Sequence, residues 1–238
     1  MNPAFAPVAI VCGTALSYIV GILIGVPALI PVLNALPALP FMIAALRRGN
    51  VPDAIGRMLI WAASMAVYAT TASYLAPAEM ANLFAHGDAY RREMFLFIVT
   101  GRGAEGDITV FLPQHVAHAA IFCGLAMATG SILAMPLGAM LMNYMSYYVG
   151  SLGAASLQPL KAMALAWVPW ALIRIASFVV LGVVLGGPVL GRLFGFEYHL
   201  RDQRRWIALA VVGLAVDAML KWALAPWWRG LIRGAAGW

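Results

Sequence analysis

The chain has 238 residues, 63% of them hydrophobic and 10% charged, with a formal net charge of +6. Soluble domains run near half apolar and a quarter charged, so this balance excludes one and describes an integral membrane protein. The positive excess does not signal nucleic acid, because the arginines lie in short clusters at the ends of apolar segments, where topology rules place them.

Met1 to Leu46 carries no charged side chain, nor does Ile108 to Leu160. Each is more than twice the roughly 20 residues that one helix needs to cross a bilayer, so each must fold back on itself. The N-terminus lacks a positive start and a small-residue cleavage site, which reads as a retained anchor rather than a secretory signal. Spans are expected over 5–26, 28–46, 57–76, 113–134, 137–155, 164–188 and 206–226. Six or seven spans result, because Pro136 either ends one helix or kinks a longer one. The expected fold is therefore all-α, a polytopic helix bundle forming one transmembrane domain over 1–238.

Arg47, Arg48 and Arg57 crowd the loop after the second span and assign that loop, with the N-terminus, to the cytoplasmic side. Residues 77–112, which contain Glu79, Asp88, Glu93, Glu105 and Asp107, become an outer loop too short for a soluble domain. Seven spans put Arg192, Arg201, Arg204 and Arg205 inside, with Arg229 and Arg233 outside. Trp61, Trp167, Trp170, Trp206, Trp227 and Trp228 fall near span ends and read as headgroup-level indoles. The expected setting is a bacterial inner membrane, with the lipid bilayer as standing partner. Cys12 and Cys123, without CxxC spacing, read as small core residues.

Along the first span, Gly13, Ser17, Gly21 and Gly25 lay small side chains in one stripe where another helix can come close. Packing within the bundle is the usual use of such a stripe, and a partner subunit's helix is the alternative. Gly130, Ala134 and Gly138 repeat the pattern, as do Gly182 and Gly186. Prolines near the joints of both uncharged blocks (Pro27, Pro31; Pro136) hint at an inverted repeat, which in transporters frames a substrate site.

GRGAEG, Gly101 to Gly106, matches GxGxxG but lacks the acid about 20 residues on that a dinucleotide site needs. FLFIVT and DITVFL around it predict a short outer hairpin, or a cap over the bundle. In FLPQHVAHAA, His115 and His118 share a helix face, and Glu105 and Asp107 lie just upstream. A metal ion there is the one cofactor the sequence brings into view, although two histidines leave the ligand set incomplete. No GxSxG, HExxH or phosphate-loop lysine occurs.

Arg174 and Asp217 are ionisable groups inside predicted spans, costly unless paired or facing a wet cavity. An ion pair between them would staple the last two spans, with Lys221 as a local alternative partner for Asp217. In MPLGAMLMNYMSYYVG, Asn143 and Tyr147 stand one helical turn apart among methionines, polar groups that line a solute path or bond to neighbouring helices. Three functions follow in order: a small permease or transporter membrane component, a noncatalytic scaffold subunit, and an intramembrane metal-dependent enzyme.

Overall fold

The structure, a computed structural model, describes residues 5–238, so the first four residues of the uncharged N-terminal block lie outside it. The chain runs α1 (Phe5–Ile24), a 3-10 turn (Pro27–Leu29), α2 (Ile30–Ala35), α3 (Leu39–Arg47), α4 (Val51–Leu75), α5 (Pro77–Leu83) and α6 (Gly87–Thr100). It continues through α7 (Ile108–Thr129), α8 (Ala134–Ala154), α9 (Pro159–Ala166), α10 (Pro169–Phe194), a 3-10 turn (Leu200–Gln203) and α11 (Arg204–Ala236). No strand occurs among the described residues.

Six segments are long and apolar enough to cross a bilayer: α1, 27–47, α4, α7, α10 and the α11 segment. A seventh long helix, the 21-residue α8, fails on apolarity because protein takes the place of lipid around it. It packs against α4 above all, and also meets α2, α5, α6, α7 and α9. Its first half joins one apolar core with α1 to α4 and α10, and its second half joins another with α6, α9 and α11. Outside, Leu16 and Leu23 of α1, Val116 and Ile121 of α7, and Val212 and Met219 of α11 stay exposed, as a lipid-facing surface requires.

The question at Pro136 resolves five to six residues upstream. Gly130 and Ser131 both take positive φ and break the chain between α7 and α8, which leaves Pro136 in the first turn of α8, where a proline costs no helical hydrogen bond. Ser131 Oγ donates to Gly182 O at 2.5 Å, locking this turn onto α10. Counting passes then puts the end of α11 on the side of residues 77–107. Contacts agree, since Arg229 donates from Nε to Ile98 O at 2.8 Å and from Nη2 to Val99 O at 2.7 Å.

Several sequence expectations need correction. The hairpin does not form: FLFIVT ends α6 and ITVFLP opens α7, so residues 77–107 make helices folded against α8 and α11. The β-branched runs mislead because packing, not propensity, decides them. Helix α4 starts at Val51 rather than 57, with Asn50 Oδ1 accepting from Asp53 N at 3.0 Å and Pro52 in its first turn. Arg57 is therefore a buried helix residue, paired with Asp53 at 2.9 Å and donating to Phe41 O. Trp61, ten residues into α4, is buried and donates to Asn34 O at 2.7 Å instead of sitting at a headgroup.

Residues 164–188 are not one span. The helix breaks at Trp167–Val168, and Pro169 begins α10. At the far end α11 passes through Pro226 to Ala236, where Trp228 Nε1 bonds Leu165 O at 2.7 Å and holds the extension down. Cys12 is exposed on α1 and Cys123 only half-buried, so neither is a true core residue.

Candidate functional site

A cavity of about 590 Å³ lies between α4, α6, α7, α8 and α10. That volume falls within the roughly 300–1,000 Å³ of sites that hold small ligands. Helix direction sets its polarity. The ends of α6, α7 and α10 near residues 77–107 contribute Tyr90, Glu93, Gln114, His115 and Arg174, with Glu105 and Lys221 beside them. The opposite end is closed by Met42, Met58 and Met135, with Phe122, Met142 and Phe178 between. Arg174 and Val183 both line it and are nine residues apart on α10, which makes the cavity about 14 Å long.

The charged end is pre-paired. Arg174 donates from Nε and Nη2 to the two oxygens of Asp217, each at 2.8 Å, in a bidentate fork that ties α10 to α11. Asp217 is fully enclosed. Lys221 does not turn to Asp217. Its Nζ donates to Glu105 Oε1 at 2.6 Å and sits 4.1 Å from the centroid of the Phe111 ring. His115 Nε2 stands 3.5 Å from Asp217 Oδ2 without forming a hydrogen bond. Tyr90, outside the spans on α6, has its phenol pushed upward by burial, so it is a neutral hydroxyl on the cavity wall.

No family model, no curated protein and no solved structure matches the chain.

The proposed ligand group disperses. Glu105 is held by Lys221. Asp107 caps α7, with Oδ1 accepting from Thr109 Oγ1 at 2.7 Å and Thr109 N at 2.9 Å, bonds that hold its carboxyl below the usual range. His115 and His118 both line the cavity, but among the described residues no three His, Cys, Asp or Glu side chains gather to hold a metal. A helix does open just after GRGAEG, contrary to expectation, yet α6 and not a strand precedes it. Asp107 already occupies the N-terminal amides that a phosphate would need.

Of the path candidates only Arg174 lines the cavity. Asn143 belongs to a closed chain: its Oδ1 accepts from Tyr18 Oη at 2.7 Å, its Nδ2 donates to Asn34 Oδ1 at 2.9 Å, and Asn34 Nδ2 donates to Ser17 Oγ at 2.8 Å. All four residues are buried and satisfied, which is a packing role. Tyr147 is buried under α6, with its ring against Phe84 and its hydroxyl 3.5 Å from Asp88. The neighbouring Tyr144 lines the cavity instead.

The small-residue stripe is covered from within the chain. A Cβ at Gly13 would stand 2.8 Å from Pro37 Cβ, one at Gly21 would meet Ile30 Cδ1, and Ser17 takes its bond from Asn34. Gly25 instead turns the chain with φ +65° and touches nothing. Glu93, Tyr90, Met42 and Met58 line the cavity without a local sequence signal, since only the meeting of distant elements makes them neighbours. The density of methionine in α8 was the one signal pointing there.

Proposed function

We propose that the protein is a small membrane permease, or the membrane component of a transporter, that binds its solute in this cavity. The carrying observation is the cavity itself, a ligand-sized space inside an otherwise apolar bundle with ionisable groups at one end. Such groups are costly within a membrane and are usually kept for substrates, ions or protons. Bidentate pairing of Arg174 with Asp217 also supplies a two-partner element that a charged solute competes for, a means of coupling occupancy to the packing of α10 on α11. Methionine thioethers at the closed end give a wall able to re-shape around a bound molecule.

Side-specific cysteine labelling in sealed vesicles tests this, in a Cys12→Ser/Cys123→Ser background. Tyr144→Cys should react with a small charged thiol reagent from the side of residues 77–107, and Met58→Cys, at the end closed in this structure, from the opposite side in the alternate state that transport requires. Val116→Cys, on the lipid face of α7, should react from neither. Complete protection of both cavity positions rules the permease out.

A further inference from the structure

The two ends of the cavity differ in chemistry, and its wall is open at an informative depth. Gln114 and His118 of α7 line the cavity while remaining exposed at the molecular surface, and Met140 and Tyr144 of α8, partly exposed, line it from across the gap. His118 lies ten residues into α7, about 15 Å from its start. That is half the thickness of a hydrocarbon core of about 30 Å, so this lateral opening faces lipid tails, while the polar end also reaches the surface at the exposed Glu93 beside residues 77–107. From this, and resting on the solute-handling reading above, we infer that the site takes a single-chain amphiphile with a zwitterionic head, admitted sideways from the bilayer between α7 and α8.

The tail follows from the closed end. Phe122, Phe178 and the methionines make this end apolar, and the cavity's length of about 14 Å suits an extended acyl chain better than a compact polar solute. The head follows from charge. Around the polar end stand two cations, Arg174 and Lys221, and three carboxylates, Glu93, Glu105 and Asp217. Two ion pairs already neutralise four of these. The unbonded edges at the cavity include Nη1 of Arg174, whose side chain is 28% exposed, and the carboxylate of Glu93, which has no ion-pair partner among the described residues.

An anionic head would meet Arg174 but face the unpaired Glu93, and a cationic head would meet Glu93 but leave Nη1 of Arg174 without an acceptor. A zwitterion meets both, its anionic group on Arg174 and its ammonium on Glu93. Tyr90 and Tyr144, ring centroids 6.3 Å apart and inclined by 28°, add aromatic faces to the ammonium side. A head seated there would also cover the imidazole of His118, which is otherwise presented to lipid at mid-bilayer depth.

Binding of three amphiphiles that share a dodecyl chain tests the inference: dodecylphosphocholine, dodecanoate and dodecyltrimethylammonium. Each is titrated below micelle-forming concentration onto the nanodisc-embedded protein, and occupancy is read by native mass spectrometry. Dodecylphosphocholine should bind about tenfold or more tightly than either single-sign probe, the ratio that one additional charge-assisted contact provides. Equal or tighter binding of either of those probes overturns the inference. Glu93→Gln, on the exposed face of the cap, should weaken dodecylphosphocholine and leave dodecanoate no weaker; no change in dodecylphosphocholine contradicts the head placement. Gly138→Trp and, should that variant not fold, Ile175→Trp fill the slot and should abolish binding, whereas Val116→Trp should not. Retained binding in a folded slot-filling variant also overturns the proposal. If Tyr144→Cys and Met58→Cys label as described but the probes show no head preference, only the substrate class falls; if neither labels, the permease reading itself falls.

Discussion

Asp217 is wholly enclosed, and both of its oxygens accept from Arg174. A buried carboxylate stripped of its partner loses the interaction while keeping the desolvation cost. Arg174→Ala should therefore lower the unfolding stability of detergent-solubilised protein by about 3–5 kcal/mol, and Arg174→Ala/Asp217→Ala should recover most of that loss. A double variant no better than the single one would contradict the pair's isolation, pointing to His115 or Lys221 as a further partner of Asp217. This pair was legible in the sequence because charges inside spans are rare enough to seek each other out. The Glu105–Lys221 pair was not, since its partners are 116 residues apart and Asp217, at i−4 from Lys221, was the nearer candidate on paper.

At the scale of elements, α8 decides the packing, and its tightest crossing is with α4. A Cβ on Gly150 would stand 2.5 Å from Thr70 O and 2.7 Å from Tyr74 N, backbone atoms that cannot swing aside. Gly150→Val should cost about 1–3 kcal/mol through forced separation of the two helices, measurable as a lowered Tm, while Gly124→Val, whose added Cβ meets nothing, should leave Tm nearly unchanged. An unchanged Tm in Gly150→Val would mean that the two helices do not approach so closely. Length and apolarity made the lipid-facing spans readable, because a bilayer imposes both on each helix it surrounds. Where protein surrounds the chain instead, the signals weaken. Residues 77–107 mix charge with β-branched runs and read as loop and hairpin, yet they fold as α5 and α6 because α8 and α11 offer them an apolar floor. The last span was expected to end at 226, but tertiary bonds from Trp228 and Arg229 hold α11 as it runs on to Ala236.

For the whole molecule, the central feature is a space that no single element contains. Helix α7 leans on α10 more than on α8, and the gap this leaves becomes the cavity mouth. No local pattern announces such a gap, which is why Asn143 and Tyr147 looked like path residues while Tyr144, between them on the helix, holds the position at the wall. Power-saturation spectroscopy of a nitroxide at Tyr144→Cys, in the cysteine-free background and in lipid, tests the cavity most directly, with a label at Val116→Cys as the lipid-facing reference. The account predicts that a water-soluble nickel chelate relaxes the label at 144 strongly and the label at 116 hardly at all, while oxygen dominates at 116. Oxygen dominance at both positions, with the nickel chelate excluded from each, would contradict a polar cavity at this place in the bundle.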